Sequence, residues 1–338
     1  MKTVSVIMPI YQAEEFLSGS LEGLAAQTLQ DMEFVLVDDC SSDGSYDIAA
    51  AFREKHPEQT ILVRTEKRSG PGGARNLGLS QATGEYIGFV DADDEIVPHM
   101  FQRLYEQARE CQADIVDSGY YNEKLDYAIL HVSDELTGQQ DSYKRSRLIV
   151  SGGYIVSKIF RRSFLEKWEL SFRENVSMED SDFITRAFAT AERVANVKEI
   201  LYKYAFTDYS ASRERDEWKY YTNVVEAMEA NYQCVCELPW YHEIQMAVEY
   251  LIIQLYDYGV VKCLSICDED NRERVLQALR EIGALKKRIV RHSYHDNSYV
   301  LEKINEDDIE IMERNDIEPE RLVKLMLRGG KKQDEEAQ

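Results

Sequence analysis

The first ninety residues repeat one pattern, in which a short apolar segment is followed by a polar turn and an amphipathic helix. Val4 to Met8 is almost continuously apolar, which is typical of a parallel strand covered on both faces. Glu33 to Val37 and Ile61 to Arg64 predict two further strands, and helices are predicted over Glu15 to Gln27 and Ser45 to Lys55. This alternation predicts a doubly wound α/β sheet. In such a sheet the ligand lies beyond the carboxyl ends of the strands.

A fourth apolar segment, Tyr86 to Val90, is followed at once by Asp91, Asp93 and Asp94. Crowded carboxylates raise one another's pKa unless a cation lies between them. Carboxylate oxygens suit Mn²⁺ or Mg²⁺, and proteins usually hold such ions with one or two carboxylates and the phosphates of a substrate. The segment therefore predicts a metal ion and a phosphate ester. The alternative is that Asp93 or Asp94 simply opens the helix predicted from Pro98.

Gly70 to Asn76 is a glycine-rich turn at the start of a predicted helix, which is one way in which chains bind phosphate. It completes neither the P-loop pattern nor the dinucleotide-binding pattern. Arg75, near the start of that helix, could pair with a ligand carboxylate or a pyrophosphate. The alternative is a flexible loop that begins a helix.

The net charge of −22 argues against nucleic acid as a partner, because that binding depends on Lys and Arg neutralising phosphates. No apolar segment is long enough to span a bilayer, and no charged leader precedes Val4, so the expected location is the cytoplasm. One basic segment, Ala284 to His292, predicts either a solvated helix face, which is the default, or a peripheral contact with phospholipid.

From about Asp216 the composition changes to long helices rich in Tyr, Glu and Lys. The predicted divisions are a first domain at 1–213, a helical C-terminal region at 214–328 and a disordered tail at 329–338. An apolar and aromatic cluster between Trp240 and Tyr256 predicts core packing against the first domain. The alternative for this cluster is a surface for homo-oligomer formation.

Five motifs, in this order, resemble the family 2 glycosyltransferases over roughly residues 3 to 213. The motifs are Val6 to Glu14, Val37 to Gly44, Gly70 to Gly78, Asp91 to Asp94 and Glu179 to Asp180. The ordered set is far more specific than any single motif. The resemblance implies a GT-A catalytic domain, with a Rossmann-like, doubly wound mixed sheet, followed by a mostly helical C-terminal region. Within the catalytic domain it implies a nucleotide-sugar half at about 1–117 and an acceptor half at about 118–213.

The resemblance implies a role for each matching residue in the nucleotide site. Pro9 and Tyr11 would form the floor under the nucleobase, with Glu14 near the ribose. Asp39 would accept the N–H of the base, and Asp38 would support that turn. A carboxylate that accepts a hydrogen bond from an imide N–H implies that the base is uracil or thymine. The expected donor is therefore a UDP-sugar.

The resemblance also implies the residues of the reaction centre. Asp93 would be the direct ligand of Mn²⁺ (or Mg²⁺), with Asp91 nearer the ribose or a metal-bound water. Asp94 would lie near the donor sugar and the acceptor. Asp180 matches the catalytic base, and Glu179 matches its neighbour that helps to position the acceptor. These roles describe an inverting transfer, in which one carboxylate on the face opposite the leaving group takes the proton of the acceptor hydroxyl.

Two basic residues would assist the leaving UDP. Lys158 lies where related bacterial chains place a basic residue after the acceptor-side strand, and it would act together with Arg75. Many relatives carry Arg or His in a stretch where this chain has Ala205 and Phe206. Arg213 would therefore have to supply the diphosphate contact, or the contact is missing.

The resemblance implies a glycan or lipid-linked acceptor in surface-polysaccharide synthesis, at the inner face of the cell membrane. Two alternatives stay open. One is a non-catalytic protein that keeps the nucleotide-sugar site but works in an assembly, which the intact Asp91, Asp93 and Asp180 disfavour. The other is a sugar-nucleotide pyrophosphorylase, which would need a glycine-rich turn directly after the first strand, where this chain has Pro9 to Gln12.

Overall fold

The computed structural model describes residues 2–205, 216–316 and 319–336. The chain divides into two compact units, Met1–Arg213 and Glu214–Gln338. Phe206 and Arg213 lie outside the described residues. The prediction that Arg213 contacts a diphosphate therefore stays a prediction.

Within the described residues, ten strands of the first unit form one mixed sheet. In chain order these strands are β1 Val4–Ile10, β2 Met32–Asp38, β3 Thr60–Arg64, β4 Tyr86–Phe89, β5 Glu95–Ile96, β6 Ile115–Asn122, β7 Tyr127–Ile129, β8 Gly138–Gln139, β9 Lys158–Arg161 and β10 Arg193–Tyr204. Their order across the sheet is β3-β2-β1-β4-β9-β6-β10-β5, with β7 beside β6 and β8 beside β10. Strands β1 to β4 pair in parallel, as do β6 and β10, whereas β9 runs antiparallel to both β4 and β6. The predicted mixed α/β sheet is confirmed.

Helices connect these strands and cover the sheet. In chain order they are α1 Leu17–Ala25, α2 Ser45–Lys55, α3 Gly70–Gln81, α4 Met100–Cys111, α5 Ser142–Ser151, α6 Arg162–Lys167 and α7 Glu179–Thr190. Helix α4 buries Phe101, Leu104 and Ala108, which the helical repeat places on one face. Because both faces of the sheet are covered, every residue of β2 and β4 is buried.

A cluster of phenylalanines joins the end of β4 to the start of α7. The Phe89 ring lies 5.4 Å from the Phe172 ring and 6.1 Å from the Phe183 ring, between centroids. Phe172 and Phe183 are stacked at 4.1 Å with an angle of 5° between their planes. Phe89 is two residues before Asp91, and Phe183 lies in the second turn of α7, which begins at Glu179. The apolar core therefore brings the acids that follow β4 towards the acids that open α7.

The segment from Tyr154 to Phe160, predicted as a strand or extended segment, is less regular than expected. Ile155–Ser157 forms a short 3₁₀ turn, and β9 starts only at Lys158. Gly152 and Gly153 precede it with φ of 65° and 124°, a region that favours glycine. Because Gly152 and Gly153 both have positive φ, the extended backbone of β9 begins only after them.

The second unit is helical. Its helices are α8 Glu217–Gln233, α9 Tyr241–Ser265, α10 Arg272–Ile289, α11 Ser298–Lys303, α12 Glu306–Asn315 and α13 Pro319–Glu336. Helix α9 buries Ile252, Ile253 and Tyr256 of the predicted cluster. The predicted packing of this cluster against the first domain stays a prediction. The predicted tail begins at residue 329, whereas the backbone of α13 is helical as far as Glu336.

The basic segment that was a candidate for phospholipid binding lies at the end of α10. Lys286 is buried and donates hydrogen bonds to Tyr294 and Asp316. Arg288 pairs with Glu229 at 2.5 Å. These two cations are engaged within the unit, so the peripheral membrane contact finds no support here. Among the described helices, none is both long enough and apolar enough to cross a bilayer.

Candidate active site

The loops after β1 and β2 are joined into one wall by hydrogen bonds. The amide N of Asp39 donates to the carbonyl of Ile10 at 2.8 Å. Gln12, in the loop after β1, adopts a left-handed backbone with φ of 49°. Its Oε1 accepts from the amide N of Ser42 at 2.8 Å, and Glu14 Oε2 accepts from the amide N of Gly44 at 2.6 Å. Both side chains therefore fix the loop after β2.

Tyr11 offers a flat surface on this wall. The side chain is 41% exposed, and Pro9 lies half-buried two residues earlier, at the end of β1. The guanidinium of Arg68 lies 4.0 Å from the centroid of the Tyr11 ring, a distance typical of a cation–π contact. The sequence analysis missed Arg68, because nothing in the sequence indicates which aromatic ring an arginine in a loop will contact.

Asp38 and Asp39 are buried at the end of β2 and hold the neighbouring turns. Asp39 Oδ1 accepts from the amide N of Ser69 and Oδ2 from the amide N of Gly70, each at 2.8 Å. Asp38 Oδ2 pairs with Arg64 Nε at 2.8 Å, whereas its buried Oδ1 has no partner among the described residues. In this structure Asp39 thus fixes the turn that leads into α3, and the predicted recognition of a base N–H stays a prediction.

Arg75 links the two groups of predicted acids. This buried side chain donates from Nη2 to Asp91 Oδ1 at 2.7 Å and from Nη1 to Glu179 Oε1 at 2.5 Å. Burial lowers the pKa of Arg75, but Asp91 and Glu179 outweigh that effect and raise it. Arg75 Nε is buried without a partner among the described residues. Arg75 therefore fixes the end of β4 relative to α7, and its Nε–H donor is unused.

The glycines that open α3 serve close packing. A Cβ on Gly72 would lie 2.0 Å from the carbonyl oxygen of Arg173, closer than any real contact. The amide N of Asn175 also donates to the carbonyl of Ser69 at 2.8 Å. The backbone of residues 173–175 thus lies directly on the start of this helix. Only glycine leaves room for it, which gives the glycine-rich turn a structural reason beyond phosphate binding.

Asp94 lies in a buried site formed by the end of β10. Tyr202 Oη donates to Asp94 Oδ2 at 2.5 Å and accepts from the amide N of Asp91 at 3.2 Å. The amide N of Ala205 donates to Asp94 Oδ1 at 2.9 Å. Burial, with the charges of Asp91 and Asp93, raises the pKa of Asp94 to about 8. Sequence analysis missed Tyr202, because an aromatic residue in a strand is typical of ordinary core packing.

Asp180 lies half-buried in the first turn of α7. Burial and the neighbouring carboxylate of Glu179 raise the pKa of Asp180 to about 6, against the lowering effect of Arg75. A carboxylate with a pKa near neutrality can take up and release a proton at physiological pH. The structure thus brings Asp91, Arg75, Glu179 and Asp180 together, although 104 residues separate Arg75 from Glu179.

Lys158 does not belong to this group, and its predicted contact with a diphosphate is not supported by its surroundings. The side chain is completely buried, and Nζ pairs with Asp117 Oδ1 at 2.8 Å. The other Nζ contacts are the carbonyl of Tyr154 at 2.8 Å and Ser157 Oγ at 3.2 Å. An ammonium group has three donors, so these three acceptors leave none for a ligand. The position after the 3₁₀ turn places Lys158 inside the core.

The acids after β4 fit a hard divalent cation. Asp91 and Asp93 are half-buried, and their charges raise the pKa of the adjacent Asp94. Among the described residues, no three His, Cys, Asp or Glu side chains converge closely enough to hold a metal ion by themselves. Mn²⁺ and Mg²⁺ are commonly held by one or two carboxylates, with other ligands from water and phosphate. The residues present therefore suit an ion that shares its coordination with a phosphorylated substrate.

The mixed sheet, with acids after β4 and at the start of α7, defines a GT-A type glycosyltransferase domain. Residues 5–168, just under half of the chain, match the model of the family described as glycosyl transferase family 2. An uncharacterized glycosyltransferase of Bacillus subtilis, EpsJ, is 36% identical over 212 residues, which cover 60% of this chain and 60% of that relative. The chain thus aligns with about three fifths of the length of this relative.

Solved structures support the fold over nearly the whole chain. The crystal structure of a fragment of S. aureus TarS in complex with UDP-GlcNAc matches with a TM-score of 0.71 and 21% identity, over 98% of this chain and 92% of that one. The mannosyltransferase PcManGT from Pyrobaculum calidifontis, in complex with GDP-Man and Mn²⁺, matches with a TM-score of 0.55 and 16% identity, over 93% of this chain and 88% of that one. At these identities the likeness concerns the fold.

Proposed function

We propose that this protein is an inverting, metal-dependent glycosyltransferase that moves a sugar from a UDP-sugar to a hydroxyl group of a glycan or lipid-linked acceptor in surface-polysaccharide synthesis. The observation that carries the proposal is the shared contact of Arg75 with Asp91 and Glu179, beside an Asp180 whose pKa is about 6. A cluster with more carboxylates than cations, at the ends of β4 and α7, suits a cation and a phosphorylated substrate. The TarS complex with UDP-GlcNAc supports UDP as the nucleotide.

In the proposed reaction, Asp180 acts as the general base. Its carboxylate takes the proton from the acceptor hydroxyl while the hydroxyl oxygen forms a bond to the anomeric carbon of the donor. The bond from that carbon to the UDP oxygen breaks, and UDP leaves with both electrons. Glu179 keeps Arg75 in place and raises the pKa of Asp180.

The nucleotide would lie on the wall formed by the loops after β1 and β2, with its base on Tyr11. Asp93, with Asp91, would hold the metal ion. When bound, Mn²⁺ or Mg²⁺ would neutralise negative charge on the diphosphate. The structure of PcManGT, which contains Mn²⁺, supports this choice of ion. Asp94, held by Tyr202, fixes the turn that carries these acids.

The test is thermal stabilisation and calorimetric binding with UDP, GDP and dTDP, each with and without Mn²⁺. Ligand binding to the folded state raises the melting temperature by mass action. We expect UDP to stabilise the wild type in the presence of Mn²⁺, and the effect to disappear in Asp93→Ala. Asp47→Ala, an exposed aspartate on α2, is the matched control. If no nucleotide binds in any condition, the proposal is wrong.

A further inference from the structure

An aromatic cluster lies in the first unit, outside the donor chemistry described above. The ring of Tyr154 lies edge-on to Tyr120, with centroids 5.0 Å apart and an angle of 89° between their planes. Tyr154 is also almost parallel to Tyr204, at 16° with centroids 6.4 Å apart. Tyr154 is 41% exposed and Tyr204 is half-buried, so part of each side chain is accessible to solvent. We call Tyr154 and Tyr204 the tyrosine pair.

The tyrosine pair lies beside the reaction centre. Tyr204 directly precedes Ala205, whose amide N is bonded to the Asp94 carboxylate at 2.9 Å. On the other side, burial raises the pKa of Tyr154, and the charge of Asp180 adds to the increase. Tyr204 is thus adjacent in the chain to a residue bonded to Asp94, and the charge of Asp180 acts on Tyr154.

Tyr154 is held in a defined position although much of its side chain is exposed. Its carbonyl accepts from Lys158 Nζ at 2.8 Å, and that buried ammonium is paired with Asp117. Tyr120, which supports the Tyr154 ring, is itself stacked on His131 with centroids 5.6 Å apart. A tyrosine that is ordered before binding loses little conformational entropy when a ligand arrives.

The chemistry of the pair favours a sugar ring. A pyranose carries C–H groups on its faces and hydroxyl groups around its rim, so it can lie on an aromatic ring while its rim is hydrogen-bonded elsewhere. The charge of Asp180 acts on Tyr154, and a carboxylate repels an anionic group. A neutral sugar is therefore the favoured occupant.

We propose that the tyrosine pair binds a neutral pyranose ring of the acceptor and thereby orients its hydroxyl group towards Asp180. This inference rests on the proposed function, because it assigns the acceptor side of the same site. Tyr154 and Tyr204 act by stacking, so a ring is required at each position and the hydroxyl groups are dispensable.

The test is saturation-transfer difference NMR with three probes, methyl β-D-glucopyranoside, methyl β-D-galactopyranoside and methyl N-acetyl-β-D-glucosaminide. We expect ring C–H signals from at least one probe with the wild type and with Tyr154→Phe. The signals should fall at least about threefold in Tyr154→Ala, from the typical energy of an aromatic contact. Tyr143→Ala, which removes a 59% exposed tyrosine on α5, is the control and should retain them.

Circular dichroism checks that each variant is folded, and Tyr204→Ala replaces Tyr154→Ala if the latter is not. Equal signals from the wild type and the folded alanine variant would overturn the inference, as would the absence of signals from all three probes with the wild type. Binding of UDP with Mn²⁺ is measured on the same wild-type sample. Its absence would count against the proposed function alone, because the glycosides do not need the nucleotide in order to stack on the pair.

Discussion

Arg75 and Lys158 are both buried cations of the first unit, yet their surroundings differ in charge. Arg75 contacts Asp91 and Glu179, lies near Asp180 and keeps one buried donor without a partner. Lys158 pairs with Asp117 alone, and its three donors meet three acceptors. Balanced charge and complete hydrogen bonding are typical of a structural pair, whereas excess carboxylates around one cation indicate a site that awaits a ligand. The following predictions test this distinction.

The largest expected effect is on catalysis. If Asp180 is the proposed base, Asp180→Asn should lower the rate of transfer by about 10²- to 10⁴-fold, because the amide cannot accept the proton of the hydroxyl group. Thermal stabilisation by UDP should be retained. The rate is measured as release of UDP in the presence of an acceptor, with Asp47→Asn as the control. Near-normal transfer by a folded Asp180→Asn variant would contradict the proposed role.

The next effect is on stability. Lys158→Met should lower the free energy of unfolding by about 3–5 kcal/mol, because it leaves the Asp117 carboxylate buried and unpaired. Lys167→Met is the matched control, since Lys167 pairs with Glu192 at an exposed position and its loss should barely change the free energy of unfolding. Urea denaturation measures both variants.

Replacing the partner as well distinguishes a lost ion pair from poor packing. Lys158→Met combined with Asp117→Leu should recover part of the lost stability, because no charge is then left buried. A Lys158→Met variant as stable as Lys167→Met would show that the pair is not structural, and a diphosphate contact would have to be reconsidered.

A smaller effect is expected at the turn that precedes this pair. Gly153→Ala should lower the free energy of unfolding by about 1–3 kcal/mol, because φ is 124° and the new Cβ would lie 3.0 Å from both Lys158 Nζ and His131 Cδ2. Gly19→Ala in α1 is the control, where the space is open and alanine should be neutral or stabilising by up to about 1 kcal/mol. Equal urea midpoints for the two variants would count against this role of Gly153.

The smallest expected effect is a shift in a pH profile. The proposed base is active only when deprotonated, and the folded-state pKa of Asp180 is about 6, so the transfer rate should fall as the pH decreases through about 6. Glu179 raises this pKa, and Glu179→Gln should therefore move the acid limb of the profile to lower pH. If the acid limb of the Glu179→Gln profile moved to higher pH, or did not move, a group other than Asp180 would control that limb. Initial rates between pH 5 and pH 8 provide the measurement.

Much of the fold could be predicted from the sequence. The apolar segments at Val4, Glu33 and Tyr86 predict parallel strands, and β1, β2 and β4 occur there. The segment before Lys158 was predicted less well, because glycine conformations at 152 and 153 are not visible in an apolar pattern. The site was predicted as separate motifs, and the sequence analysis did not find Tyr202 or Arg68, because an aromatic residue in a strand and a cation in a loop resemble ordinary structural residues.

The sequence by itself determined the order of strands and helices, the acids after β4 and at the start of α7, and the resemblance to a family of glycosyltransferases. These are local properties, set by periodicity and by residue types at short spacing. Only the tertiary structure decided which charges meet. Both Arg75 and Lys158 are basic residues near predicted ligand loops, but packing places one among several acids and encloses the other with Asp117. Burial and charge balance depend on contacts between distant parts of the chain, and no local pattern encodes them.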